Sequence, residues 1–535
     1  MSLNRISSWS IRQPIPTLIF FLVITIAGLM SFTKLRINNF PDVTFPVVTV
    51  TVAQPGAAPA EIESQVARIV EDSVSGIGSV RHIYTTLGDG YANVSIEFQL
   101  GVDLDRATND VRNAVASVRS DLPADIQDPV VQRMDSTGGA VLNYVVRGPG
   151  MTPEQLSWFV DNTVGKRLLS IKGVASVGRD GGVNREIRVQ LDPARLAAQG
   201  VTASEISQQL RSFNINLPGG RVDLAGGEQA IRTLGSARSV DELRETRITL
   251  NNGRTIRLGD VADVTDGWTE PRGRARLNGE EVVGFNVNRT ITSGEVGMAT
   301  AVRAAVAELD KERADITIEE VTTSVDAVME SYIASIEALL LGAVLAVLVV
   351  FVFLRDWRAT FVAAVAMPLS LIPTFFVMEI FNQSFNVVTL LALSLTVGIL
   401  VDDAIVEIEN IVRHIRDGKK PYPAAIEAAD EIGLAVVATT ATIIAVFAPV
   451  GFMPGVVGQF FVSFAIAACV SVFFSLVVAR TITPLMGAYL LKADQGKEHG
   501  DPFWMSGYLS ALAWGLKHKG LVLLFGVMFF AGSIF

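Results

Sequence analysis

"NVVTLLALSLTVGILVDDAIVEIENIVRHIR" occupies Asn386–Arg416. It stays apolar or hydroxyl-bearing as far as Val401, sets down two adjacent aspartates, Asp402 and Asp403, and reaches its first basic residue only at Arg413. A helix begun near Asn386 carries the pair roughly 24 Å along its axis, within a hydrocarbon layer about 30 Å thick. Aspartate is too short to reach water from there, and each costs about 2.5–3.5 kcal/mol at the centre of a span, less near its edge. Neighbours on a helix stand about 100° apart, so both carboxyls can face one polar seam and neither shields the other. Something must compensate them.

Three readings compete. In one, Asp402, Asp403, Glu407 and Glu409 form a solvated helix end, although the basic stop signal comes late, at Arg413. In another, the pair are the acids of an intramembrane aspartyl protease. That chemistry needs carboxylates meeting from two segments, and no second membrane-embedded aspartate is present. The third is a proton relay, two coupled carboxyls loaded and unloaded during transport. A relay needs a cation to hold its charged form. Arg480 reads as the end of its span, and no Lys or Arg lies at depth, so the partner is expected from another segment.

The spans themselves fall near 13–33, 333–353, 359–379, 386–411, 430–452 and 459–480, each about 20 residues long. A seventh begins at Gly520, and the sequence stops inside it at Phe535. A C-terminal half that supplies the cation is therefore expected. Before the seventh span, Trp504, Tyr508, Trp514 and Lys517 suit an interfacial amphipathic helix over 493–519, against a plain solvated linker. Arg5 and Arg12 precede the first span, Arg355 and Arg358 follow the second, and Arg413, Arg416, Lys419 and Lys420 follow the fourth. The loops Glu379–Phe385 and Met453–Gly458 have none. This places the N-terminus inside and 34–332 outside. The first span could instead be a cleavable signal, but it is long, lacks a clear A-x-A site and precedes further spans.

Composition agrees with a membrane protein. Half of the 535 residues are apolar, and the net charge of −10 offers no basic face to nucleic acid. The single cysteine, Cys469, excludes an internal disulfide and a cysteine-based metal site.

The outer segment has soluble character and alternating strands. Val47–Val52, Val80–Thr86, Tyr91–Phe98 and Val130–Arg133 read as strands, with helices at Pro59–Ile77 and Asp103–Ser120. The order β-α-β-β-α-β is the ferredoxin-like split unit. A second copy starts at Ala140–Val146 and Thr152–Ile171, where "IKGVASV" echoes the earlier "IGSV", and an insertion from about Val177 to Gly267 interrupts it. Within the insertion, Asn214–Gln229 reads as a projecting hairpin arm or as a surface loop. The outer segment carries no catalytic triad, phosphate loop or metal-spaced histidine cluster.

Four stretches carry a resemblance: "FPDVTFPVVTVTVAQPGAAPAEIESQV", "FVFLRDWRATFVAAVAMPLSLIPTF", "GILVDDAIVEIENIVRHI" and "ATTATIIAVFAPVGFMPGVVGQFF". Spread over nearly the whole chain, they are similar to the N-terminal half of a resistance-nodulation-division (RND) transporter of the hydrophobe/amphiphile efflux type. The resemblance implies an α+β membrane protein, a transmembrane helix bundle carrying a large periplasmic domain. It implies porter subdomains at 34–133 and at 134–176 with 270–330, a docking insertion at 177–269, and helices two to six over 331–492. It also implies a homotrimer, a periplasmic adaptor, an outer-membrane channel, and energy from the proton gradient with no cofactor, metal or enzymatic chemistry. Asp402 and Asp403 match the relay pair, whose usual lysine lies in the absent half. Pro218, Gly219, Gly220, Arg221, Gly226 and Gly227 would form the arm reaching a neighbouring protomer, shorter here than in well-known drug pumps. The phenylalanine positions of the family's drug pocket fall at Ala140 and Asp180, leaving Ala140, Leu142 and Tyr144 as the expected pocket strand without an aromatic lining. A metal exporter, or an assembly or translocation factor on the same fold, stands as the alternative. The isolated Met134, Met151, Met298 and Met329, and the presence of the docking insertion, argue against these.

Overall fold

The computed structural model describes residues 4–43, 45–133, 140–213, 217–224, 227–233, 237–250, 253–271, 273–492 and 505–534. Among them, six helices are long and apolar enough to cross a membrane. Spans one to four are Pro14–Lys34, Val325–Leu354, Trp357–Ile380 and Val387–Arg416, span five is Pro421–Phe447 with a 3-10 turn to Phe452, and span six is Gly455–Leu490. Spans three, four and six form the centre. Span six turns Ala465, Ala468, Ser471, Ser475 and Ala479 inward, and small side chains of this kind let membrane helices approach closely. Span one meets span three at Gly28, where an added Cβ would stand 2.2 Å from the Ile372 carbonyl oxygen, so only glycine fits.

Span six outlasts its hydrophobic stretch and contains Pro484. Proline has no N–H, which frees the carbonyl four residues earlier, that of Arg480. Ser7 Oγ donates to that carbonyl at 2.8 Å, and Ser10 Oγ donates to Thr481 O at 2.7 Å. The amphipathic helix Asn4–Arg12 is thereby held against span six, with Ile11 buried.

The soluble region contains two sheets of matching connectivity. The first has β1 (Val47–Ala53), β2 (Val80–Gly88), β3 (Tyr91–Phe98) and β4 (Val130–Arg133), antiparallel in the order β2-β3-β1-β4. Val48, Val50 and Val52 alternate inward onto Val94 and Ile96, as period-2 patterning dictates. The second sheet begins with β5 (Leu142–Arg147) and β6 (Val174–Asp180). An inserted module follows, with β7 (Arg185–Leu191), β8 (Leu217–Leu224), β9 (Gly227–Thr233), β10 (Arg247–Thr249), β11 (Thr255–Arg257) and β12 (Ala262–Trp268). After β13 (Ala275–Leu277), the sheet is completed by β14 (Glu280–Arg289) and β15 (Thr317–Thr323). β14 pairs with β6 and β5, and β5 with β15, so β6-β14-β5-β15 repeats the order of the first sheet. The first helix of each unit also holds a π-helical stretch, Glu63–Ala67 and Val160–Val164. Such stretches are rare, and their shared position marks the units as copies.

β6 runs to Asp180, four residues into the stretch the sequence assigned to the insertion, because its pairing with β14 extends as far as Gly284. The module enters and leaves by β7 and β12, which pair from Arg185↔Trp268 to Leu191↔Ala262, and it has its own core around Ile206, Ile248, Leu258 and Val264. β8 and β9 form an antiparallel hairpin. Pro218, Gly219, Gly220 and Arg221 lie in β8 and Gly227 opens β9, whereas Gly226 lies outside the described residues.

Beyond span six, Met505–Lys517 and Lys519–Ile534 are helical with a 93° bend between them, and Leu512, Trp514, Leu523 and Phe529 are exposed. The rest of the expected interfacial stretch, 493–504, lies outside the described residues.

Candidate functional site

Span four is pinned at its N-terminal end. Asn386 caps it, accepting from the Val388 and Thr389 N–H groups at 3.0 Å each, while Thr389 Oγ1 accepts from Asn386 N at 2.9 Å. Just before the cap, Phe385 N donates to Arg36 O at 2.8 Å and Asn38 N to Phe385 O at 2.9 Å. The chain entering the first sheet is thus tied to the start of the aspartate helix. Asp42, on the same segment, meets Arg289 of β14 at 3.2 Å, and Arg289 meets Glu295 at 3.3 Å. Burial pushes the Glu295 carboxyl up from its ordinary value, with Arg289 offsetting part of the rise. A polar cavity of about 230 Å³, lined by Asp42, Gln383, Ser384 and Ser463, opens beside this junction.

The two aspartates do not share one seam. Asp403 is partly buried and faces span six, where Ser475 Oγ donates to its Oδ2 at 2.7 Å. Asp402 is exposed and belongs to the stripe Leu391, Leu395, Gly398, Asp402, Val406 and Glu409. The 100° between neighbours puts one carboxyl into a helix contact and leaves the other on the open face.

One turn beyond Asp403, on the inward face, stands Glu407, which is 0% exposed. Its Oε2 lies 3.8 Å from Nη1 of Arg480, which is 4% exposed. Nη1 donates to Ala429 O of span five at 2.6 Å. Gly433 makes room for the guanidinium, since an added Cβ there would fall 2.7 Å from Nη2. Both Glu407 oxygens, together with Nε and Nη2 of Arg480, have no hydrogen-bond partner. Glu407 is enclosed, which counts against the reading of a solvated helix end, and one expectation is corrected: Arg480 is a buried arginine facing span four rather than a residue at the end of its helix. Hydropathy gives out at Arg480, but the helix continues to Leu490 and folds the guanidinium inward. The signal was present in sequence as two spacings of four, Asp403 to Glu407 and Arg480 to Pro484. One further turn on, Asn410 donates to Ala428 O at 3.0 Å, and Glu431 takes Arg413 at 2.7 Å and His414 at 2.9 Å in a part-exposed cluster.

The expected pocket strand is also corrected in part. Ala140 precedes β5 and is partly exposed, but Leu142 and Tyr144 are buried in the core of the second unit. Tyr144 stacks on Phe285 and donates to Glu320 Oε2 at 2.9 Å, and burial and that carboxylate push its hydroxyl up from the ordinary value. Arg303, bonded at 2.6 and 2.9 Å, holds Glu320 below the usual carboxylate range. A strand turns alternate residues to opposite faces, so the other side of this sheet presents different chemistry. There Asn143 bonds Thr322 at 2.9 Å, Asn286 bonds Asp180 at 2.9 Å, and Asn288 bonds Ser176 at 3.1 Å.

The sequence pattern of the AcrB/AcrD/AcrF family matches residues 6–535. The chain belongs to this RND family. Among curated members, multidrug resistance protein MdtC of Photorhabdus laumondii is 31% identical over 489 residues, which is 91% of this chain and 47% of that protein. MdtC of Pantoea ananatis is 32% identical over 484 residues, 90% and 47% of the two chains. MdtC of Salmonella newport is 31% identical over 529 residues, 97% and 51%. The chain therefore spans about half the length of the curated relatives it matches. Within this RND framework, six helices are long and apolar enough to cross a membrane, and span four carries Asp403, Glu407 and Asn410 in succession on its inward side.

Proposed function

We propose that this chain is the N-terminal half of an inner-membrane permease that exports amphiphilic compounds from the periplasm in exchange for inward proton flow. The observation that carries the reading is the placement of Asp402 and Asp403. A carboxyl halfway along an apolar stripe is costly against lipid, so the stripe bearing Asp402 suits a further protein segment with a cation directed at it. Asp403, already satisfied by Ser475, would share that cation as the pair changes protonation. The multidrug names of the relatives, and the half-length match, support a second half of similar build.

Asp402 and Asp403 take the proton-relay role in this reading. Loading them changes what span four attracts, and span four is joined at its capped end to the Arg36–Asp42 segment and through Asp42 to Arg289 and Glu295 of the second sheet unit. Motion of the helix therefore has a buried route to the soluble units. These units serve as porter subdomains around 34–133 and around 134–176 with 270–330. The inserted module serves as half of a docking domain for an outer-membrane channel, working with a periplasmic adaptor. The β8–β9 hairpin reaches a neighbouring protomer of a homotrimer. The Lys and Arg distribution supports a cytoplasmic N-terminus and a periplasmic 34–332. The polar open face near Asp180 favours hydrogen-bonding amphiphiles over flat aromatic ones.

The test is Asp402→Asn and Asp403→Asn in the full-length transporter, followed by dye efflux and proton counterflow in proteoliposomes. Both activities disappear in each variant while trimers still assemble. Proton-coupled export that survives in both variants would reject the reading.

A further inference from the structure

Among the described residues, Glu407 and Arg480 form the most enclosed ion pair. The carboxylate is fully enclosed, yet neither oxygen receives a hydrogen bond, and its guanidinium partner stands at 3.8 Å with Nε and Nη2 also unbonded. A permanently charged pair under such burial closes to direct hydrogen bonds, because the attraction repays desolvation only in good geometry. Open geometry suits a carboxyl that alternates between charged and neutral forms and admits water to do so. Its position suits the same role. Glu407 follows Asp403 by four residues, about 6 Å along the axis and on the same side of span four, the spacing at which helix side chains are neighbours. On the other side, Asn410 and then Glu431, Arg413 and His414 lead to the solvated end.

We propose that Glu407 is a further proton carrier of the transport cycle, positioned by Arg480, between Asp403 and the inner mouth at Glu431 and His414. This rests on Asp402 and Asp403 being the relay. The Asp403 carboxyl gives its proton to the Glu407 carboxylate, directly or through one water, and becomes the carboxylate. Glu407 later releases the same proton toward the Glu431 cluster. Arg480 remains protonated throughout and holds the Glu407 anion between transfers. Among the described residues, Arg480 on span six is the charged side chain within ion-pair reach of Glu407. Span five contributes the Ala429 carbonyl to Arg480, and the N-terminal helix contributes the Ser7 hydroxyl to the Arg480 carbonyl. On Glu407's own helix, Asp403 lies one turn back and is partly buried, and Glu409 lies on the open face.

The experiment compares Glu407→Gln, Glu407→Asp, the double replacement Glu407→Leu with Arg480→Leu, and Asp403→Asn. All are made in the full-length transporter and reconstituted with an imposed proton gradient and ethidium. Glu407→Gln lowers coupled export by about ten-fold or more at unchanged membrane abundance. Glu407→Asp recovers part of it with a displaced pH profile, and the double apolar variant stays inactive. A purely structural pair behaves otherwise, since removing both charges restores export. Full activity in Glu407→Gln, or rescue by the double variant, overturns the proposal while leaving the aspartate relay standing. Wild-type export in Asp403→Asn instead brings down the relay itself.

Discussion

Arg303–Glu320 in the soluble region and Arg480–Glu407 in the bundle join the same two groups under opposite conditions. The outer pair is part-exposed, and its two guanidinium contacts measure 2.6 and 2.9 Å, with the Tyr144 hydroxyl also bonded to Glu320. The inner pair is enclosed, separated by 3.8 Å and short of hydrogen bonds. Where water is available the pair is complete, and where it is absent the pair is left open. Stability favours the first arrangement. Proton traffic favours the second.

Removing one partner of each pair tests that contrast most severely. Arg480→Ala strands an enclosed carboxylate and lowers unfolding stability by about 3–5 kcal/mol, whereas Arg303→Ala costs about 1 kcal/mol or less. Denaturation of the detergent-solubilised protein, followed by tryptophan fluorescence, measures both. Equal losses would erase the distinction. Gly433→Ala comes next, because its methyl group collides with Nη2 of Arg480 and costs about 1–3 kcal/mol by the same measurement.

The pH dependence sharpens the comparison within the soluble region. Glu320 has a folded-state pKa below its unfolded value, so its contribution is present above the unfolded value of about 4.3 and is lost as pH falls. Glu320→Gln should therefore lower the melting temperature near neutrality and leave it unchanged in acid. Glu295 has the opposite sign. Its folded-state pKa is raised, so its contribution is favourable below about 4.3 and declines as pH rises toward the folded value. Glu295→Gln removes that decline. A melting curve whose pH slope is untouched by both substitutions would contradict these assignments. The smallest effect belongs to Arg185–Asp266 on the module's surface, where Arg185→Ala should produce no measurable change in melting temperature.

Much of this architecture is legible in sequence. Val48, Val50 and Val52 announce a half-buried strand, and the long apolar runs announce their helices, because both signals are local and periodic. Asp402 and Asp403 stand out for the same reason, as polar interruptions of an apolar run. The Glu407–Arg480 pairing is not legible in sequence, since it joins two helices far apart in the chain and Arg480 sits where hydropathy stops before the helix does. The buried face of β5 is not legible, because alternation separates Leu142 and Tyr144 from Asn143 without indicating which side packs on helices.

Among the described residues, the ladder of β7 on β12 gives the inserted module a narrow neck. Rotation or pull arriving at its far end has one short double-stranded stem through which to reach the sheet below. Stiffening that stem would transmit a tug from above, and loosening it would let the head swivel while the base keeps working.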